Sequence, residues 1–386
     1  MTAPVIVESV ALSDLIGVVR EDGYTVIGPT VRDDAIVLDE LLDGSELPAG
    51  WGVDTGAGRY RLVRRTDEAV FAHSAGPQSW KDTLHPARRR LLSIRQHPDG
   101  DPAGFSVVPE PAGAGPRYAF LGVRPCDLAA IGILDEVLAR GAHPSPHYTS
   151  RRDGILVIVA NCTEPGAACF CVSMGGGPRA EAGYDLALTE RVDADGHRFL
   201  VEAGSPAGER LLAALPNRAA TAADVEVAAA DLTEAAGRMG RAMPAMDLRQ
   251  LLADSRESPH WEDVANRCLA CGNCTMVCPT CFCTTTEDVS DLTGDNAERW
   301  ERWDSCFNLD FSYLHGGEVR TSTDSRYRQW MSHKLSTWYD QFGSSGCVGC
   351  GRCLVWCPVG IDITEEAARL AELSPRPVRG ADDDAR

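Results

Sequence analysis

CLACGNCTMVCP, Cys268 to Pro279, and CVGCGRCLVWCP, Cys347 to Pro358, are two copies of one spacing. Each fits C-x₂-C-x₂-C-x₃-C-P, the bacterial iron–sulfur run. The spacing has a geometric reason. A chain wound tightly around a cubane can present thiolates to three corners from positions three apart. Gly272, Gly349 and Gly351 let the backbone turn close to the cluster and offer N–H groups to its sulfurs. The proline after each fourth cysteine redirects the chain, so that this cysteine reaches the neighbouring cluster. The runs therefore predict two [4Fe–4S] clusters with crossed ligation. Cys268, Cys271, Cys274 and Cys357 hold one, and Cys347, Cys350, Cys353 and Cys278 hold the other. Zinc is the competing chemistry, because paired C-x₂-C motifs also close single tetrahedral sites. Each run here holds four cysteines and not two, and a proline follows both, which argues against zinc.

The two runs are separated by 347 − 278 = 69 residues, longer than in a small ferredoxin. The gap carries helix-like segments, notably Thr323 to Tyr339, and predicts a mainly α-helical ferredoxin-like domain. Trp261, Trp300, Trp303, Trp330, Trp338 and Trp356 fall in it. Packing accounts for such aromatics, and around clusters they also exclude water. Cys281, Cys283 and Cys306 are one thiol short of a further cluster. They read as buried small hydrophobes, the alternative being a metal site completed by another residue, and none is assigned as a ligand.

Upstream the pattern changes to α/β. Tyr118 to Val123 is a short apolar strand, Leu128 to Arg140 steps its apolar residues by three or four, and Gly154 to Ala160 is a second, β-branched strand. Asp127 is placed to cap the helix and Gly141 to end it. A right-handed crossover makes the strands parallel neighbours and brings their following loops to one sheet edge. Those loops carry Cys126 and, in NCTEPGAACFC, Cys162, Cys169 and Cys171. Four thiols at one edge predict a third [4Fe–4S] cluster, set apart from the ferredoxin pair; free or zinc-binding cysteines are the plainer alternative. The expected organisation is an α/β (or α+β) domain over 1–245, the helical dicluster domain over 246–373, and a disordered tail over 374–386. The Ala-rich segment 205–257 reads as helical and as the bridge between the halves.

The 386 residues include 56 Asp plus Glu against 37 Lys plus Arg, a formal charge of −19. Phosphate backbones and anionic lipid repel such a surface, so neither nucleic acid nor membrane is an expected partner. No run approaches the roughly 18 apolar residues of a membrane span. The start, MTAPVIVESVALSD, has no basic segment and predicts a cytoplasmic protein. Fifteen cysteines in that compartment are metal ligands before they are disulfides. There is no P-loop and no Gly-x-Gly-x-x-Gly after a strand, so the chain is expected to bind no nucleotide or flavin of its own.

With these motifs in hand, the chain resembles the β (iron–sulfur) subunits of cytoplasmic group 3b [NiFe] hydrogenases, the sulfhydrogenases. The resemblance extends to the electron-transfer subunits of anaerobic sulfite reductases. It rests on SWKDTLHPARRRLL from Ser79, FLGVRPCDLAAI from Phe120, NCTEPGAACFCVSMG from Asn161, CLACGNCTMVCPTCFC from Cys268, RWDSCF from Arg302 and CVGCGRCLVWCPVGIDI from Cys347. The resemblance implies a heterotetramer. In it a non-catalytic electron-transfer chain joins a flavin subunit that binds NAD(P)(H) to the large and small [NiFe] subunits. Two other functions compete: electron input to a siroheme-type sulfite reductase, and a zinc- or iron-sensing structural module. No catalytic residue is assigned in this chain.

Overall fold

The computed structural model describes residues 3–97, 104–110 and 116–374. Its strands are β1 Val5–Glu8, β2 Thr25–Arg32, β3 Ala35–Glu40, β4 Trp51–Gly56, β5 Arg59–Arg64, β6 Arg88–Gln96, β7 Phe105–Pro109, β8 Tyr118–Val123, β9 Leu156–Ala160, β10 Leu186–Asp193, β11 Gly196–Ala203, β12 Arg218–Ala219, β13 Thr284–Ser290 and β14 Asn296–Trp303. An eight-stranded mixed sheet runs in the order β12-β1-β11-β10-β9-β8-β2-β3. Its centre is parallel: β8 pairs with β9, β9 with β10 and β2 with β8, whereas the outer pairs are antiparallel. Central parallel strands are covered on both faces, which is why β8 and β9 are apolar almost throughout.

Alternate side chains of those strands enter different cores. Leu121, Ile158 and Leu188 pack with Leu12, Ile16 and Val19 of the helix Ala11–Glu21 and Leu211 of the helix Pro206–Ala214. Phe120, Val157 and Val159 pack on the other face with Ile131 and Leu134 of the helix Pro125–Leu138. The expected strand–helix–strand unit is thus present, with Ala119 opposite Leu156 and Phe120 opposite Val157. Asp127 does not cap its helix. Pro125 sits in the first turn after Arg124, and Asp127 pairs instead with Arg352 at 2.6 Å.

The C-terminal half carries both helices and strands. The helices His260–Arg267, Thr323–Ser332 and Ile363–Leu373 share one core with Leu354 and Val355 of the second cysteine run. Within the domain expected to be mainly helical, the span 284–303 forms the hairpin β13–β14. That hairpin joins β6 and β7 in a four-stranded sheet of order β13-β14-β6-β7. The sheet therefore draws strands from both sides of residue 245. A C-terminal core of Trp261, Tyr327, Trp330, Leu354 and Ile363 also takes in Ala168 and Phe170 from the N-terminal half. In the Ala-rich segment the helices are Pro206–Ala214, Ala222–Gly237 and Leu248–Asp254. The expected tail, from residue 375 onward, lies outside the described residues.

Candidate functional site

The first cysteine run leaves the helix His260–Arg267 at Cys268. Ala270 at φ 50° and Gly272 at φ 72° then turn the backbone through the left-handed region, and a single helical turn, Asn273–Met276, follows. The result is a cavity lined by Cys268, Cys271 and Cys274, joined by Cys357 from the second run and by Cys353. Phe307, Tyr327, Trp330, Ile361 and Ile363 complete its apolar wall. Asn273 Nδ2 donates to Trp356 O and ties the two runs together. Backbone N–H groups already serve two of the sulfurs: Ala270 N donates to Cys268 Sγ at 3.4 Å and Ile361 N to Cys357 Sγ at 3.3 Å.

Two observations test whether this cavity suits a cluster. Tyr327 Oη and Trp330 Nε1 are buried in its wall without a hydrogen-bond partner, although buried donors are normally satisfied. Burial, followed by the charges of neighbouring cysteines, pushes the Cys274 thiol well above its ordinary range. Sulfurs so crowded in a dry site are stable as thiolates when they share cationic iron. The residues present fit a cubane.

The second set gathers around Cys347, Cys350 and Cys353. Burial drives the Cys347 thiol up to about 12, and Cys278 and Cys350 add their charges to it. Cys353 is pushed up by burial and then by Cys347, Cys350 and Cys278. Cys278, from the first run, thus stands among the cysteines of the second. Its own thiol is held well below the ordinary range by a hydrogen bond from Cys281, by the Lys334 ammonium and by Thr280. Gly349 N donates to Cys347 Sγ at 3.5 Å.

The third set stands against the second, not apart from it as the sequence reading expected. Phe170 N donates to Gly349 O at 2.9 Å. A Cβ on Gly349 would fall 2.6 Å from Cys171 Cα, and one on Gly351 would fall 2.4 Å from Ala168 O. The glycines of the second run therefore admit the loop Cys162–Cys171 as well as allowing the turn. Cys126 opens the helix Pro125–Leu138, and the other three cysteines lie on the loop after β9. Burial and then Cys162 raise Cys169 to about 12 and Cys171 to about 11. Burial, then Asp127, Cys350 and Cys171, raise Cys126 well above its usual value. Cys162, Cys169 and Cys171 are electrostatic neighbours, Cys126 joins them through Cys171, and Cys126, Cys169 and Cys171 also feel Cys350. Arg124 Nη2 donates to Phe71 O and His73 O, while its Nε and Nη1 are buried without partners. Arg124 is the strongest charge lowering the nearby Cys162 thiol, which burial raises.

Sequence reading passed over two lysines. Lys334 and Lys81 are buried and both donate to the Cys278–Cys281 segment. Their signal was slight: Lys81 stands in SWKDTLHP and Lys334 beside the apolar Leu335 and Trp338. Cys283 and Cys306 are electrostatic neighbours, and burial drives Cys306 up to about 12. Among the described residues no three His, Cys, Asp or Glu side chains are arranged to hold a single metal ion. No helix among them is long and apolar enough to cross a membrane.

Residues 267–361 match the family model of a 4Fe-4S dicluster domain. The chain is 32% identical over 251 residues to the sulfhydrogenase 2 subunit beta of Pyrococcus furiosus, covering 64% of this chain and 72% of that protein. No solved structure matches.

Proposed function

We propose one reading from one premise, that the chain belongs to the sulfhydrogenase β-subunit family. It is an electron-transfer iron–sulfur subunit of a hydrogenase complex. Within that complex it connects a flavin subunit that binds NAD(P)(H) to the large and small [NiFe] subunits. It carries neither catalytic residue nor flavin itself and works in the cytoplasm.

Bound [4Fe–4S] clusters supply one-electron carriers. The residues of this chain hold, insulate and order them. Cys268, Cys271, Cys274 and Cys357 would hold the first, Cys347, Cys350, Cys353 and Cys278 the second, and Cys126, Cys162, Cys169 and Cys171 the third. Phe307, Trp330 and Ile363 exclude water from the first donor set, and Tyr327 Oη and Trp330 Nε1 have hydrogens to give there. The bidentate contact of Arg352 with Asp127 clamps the third set to the second. The donor sets then adjoin in the order third, second, first, and Cys271 of the first is exposed.

The observation that carries the reading is the meeting of Cys357 with Cys268, Cys271 and Cys274 around one cavity. A single structural ion needs no such exchange of ligands between runs. The test is purification of the tagged chain from its own cells under anaerobic conditions. The reading expects stoichiometric flavin and nickel in the purified complex. A chain that elutes without either is not a relay between those centres.

A further inference from the structure

The Lys334 side chain belongs to a residue only 2% exposed. It sits on the widened helical turn His333–Thr337, a π-type distortion of the kind that gathers at functional sites. Its Nζ donates to Thr280 Oγ1 at 2.9 Å and Gly346 O at 3.2 Å, both neutral acceptors. Among the described residues it forms no ion pair with a carboxylate. A buried ammonium without a counter-charge is strongly unfavourable. The groups near it that can carry negative charge as ligands are cysteine sulfurs. Thr280 Oγ1 lies 3.2 Å from Cys278 Sγ, and Gly346 immediately precedes Cys347. Lys81, 3% exposed, reaches the same segment. Its Nζ donates to Cys281 O at 3.2 Å and Met276 O at 3.3 Å, and lies 3.7 Å from the Trp303 ring centre. The first cavity differs: no Lys or Arg is among its lining residues.

We propose that Lys334, seconded by Lys81, is the counter-ion of the group held by Cys278, Cys347, Cys350 and Cys353, and that it makes this group easier to reduce than it would be without that charge. The inference rests on the cluster assignment above. One added electron takes a four-thiolate [4Fe–4S] site from a net charge of −2 to −3, and a fixed ammonium favours the more negative state. No proton moves. Net charge and hydrogen bonding to the sulfurs are among the terms that set such potentials.

The test uses the full chain, purified anaerobically, with iron counted and each cluster titrated with dithionite under electron paramagnetic resonance. In Lys334→Met one cluster signal should need a lower potential, by at least tenfold in its reduction equilibrium, or about 59 mV for one electron. Lys334→Arg, which keeps the charge, should stay within threefold of the parent. Loss of that cluster in the Met variant, with retention in the Arg variant, supports the same role. Equal loss in both variants overturns it, as does a fully loaded Met variant with every midpoint unmoved. A parent chain without a cluster on Cys278, Cys347, Cys350 and Cys353 instead overturns the assignment beneath it.

Discussion

Replacing Arg352 by Met should unseat the third donor set from the second. The Arg352 and Asp127 side chains are 8% and 5% exposed, and Nη1 meets Oδ1 at 2.6 Å while Nη2 meets Oδ2 at 3.2 Å. Arg352 also donates through Nε to Gln78 O at 3.1 Å. Arg352→Met leaves the Asp127 carboxylate buried beside the Cys126 thiol without its ion-pair partner. Breaking one side of a buried pair costs about 3–5 kcal/mol, whereas replacing both sides by apolar groups is often neutral or better. At a urea slope of about 3 kcal/mol per molar, a 4 kcal/mol loss lowers the midpoint by about 1.3 M. The assay is anaerobic urea unfolding of the parent, Arg352→Met, Asp127→Leu and the double variant, with iron content verified. The single variants should each fall by about 1 M or more and the double variant by much less. If the singles move by under about 0.3 M, or their losses simply add, the pair is no clamp.

Other outcomes follow from the same geometry. Cys278→Ala should remove the spectroscopic signature of the cluster on Cys347, Cys350 and Cys353, and Cys357→Ala that of the cluster on Cys268, Cys271 and Cys274; loss of each run's own cluster instead would refute crossed ligation. Gly351→Ala forces an L residue to φ 77° with its Cβ 2.4 Å from Ala168 O; it should cost about 2–5 kcal/mol in urea unfolding, and a loss under about 1 kcal/mol would show that the loop does not rest there. Burial, the largest cause, lowers His85 to about 4 from its ordinary 6.5. Its neutral form is the folded form, so its contribution is complete above pH 6.5 and is lost as pH falls toward 4. The parent should lose about 3 kcal/mol more than His85→Gln over that window, and parallel stability curves for the two would exclude the effect.

Much of this arrangement was legible from local pattern. Apolar periodicity located the β8–helix–β9 unit, because strands buried on both faces and a helix covering them must be apolar at regular steps. Cysteine spacing picked out Cys268, Cys271, Cys274 and Cys357, which the fold brings to one cavity together with Cys353. Contacts between distant segments were not legible. β6 and β14 pair through arginines and glutamates, with Arg89 on Glu301 and Arg90 on Glu298, both at 2.7 Å. Such a strand lacks apolar alternation, and its partner lies 212 residues away at Arg89–Glu301. Asp127 occupied a plausible capping position, and only the fold shows that Arg352 claims it. The third set was expected apart from the second because topology fixes an edge of a sheet but not what packs on that edge. Lys334 escaped for the same reason: its counter-charge comes from cysteines remote in sequence.

The most direct test of the relay is the iron and labile sulfide content of the full chain, purified anaerobically and examined by Mössbauer spectroscopy. Three donor sets of four thiolates predict about twelve irons and twelve sulfides per chain, all in cubane form. Substituting Ala at Cys126, Cys162, Cys169 and Cys171 together should lower that to about eight. A parent chain that holds zinc in place of iron, or about eight irons that the fourfold substitution leaves unchanged, would contradict a continuous three-cluster path.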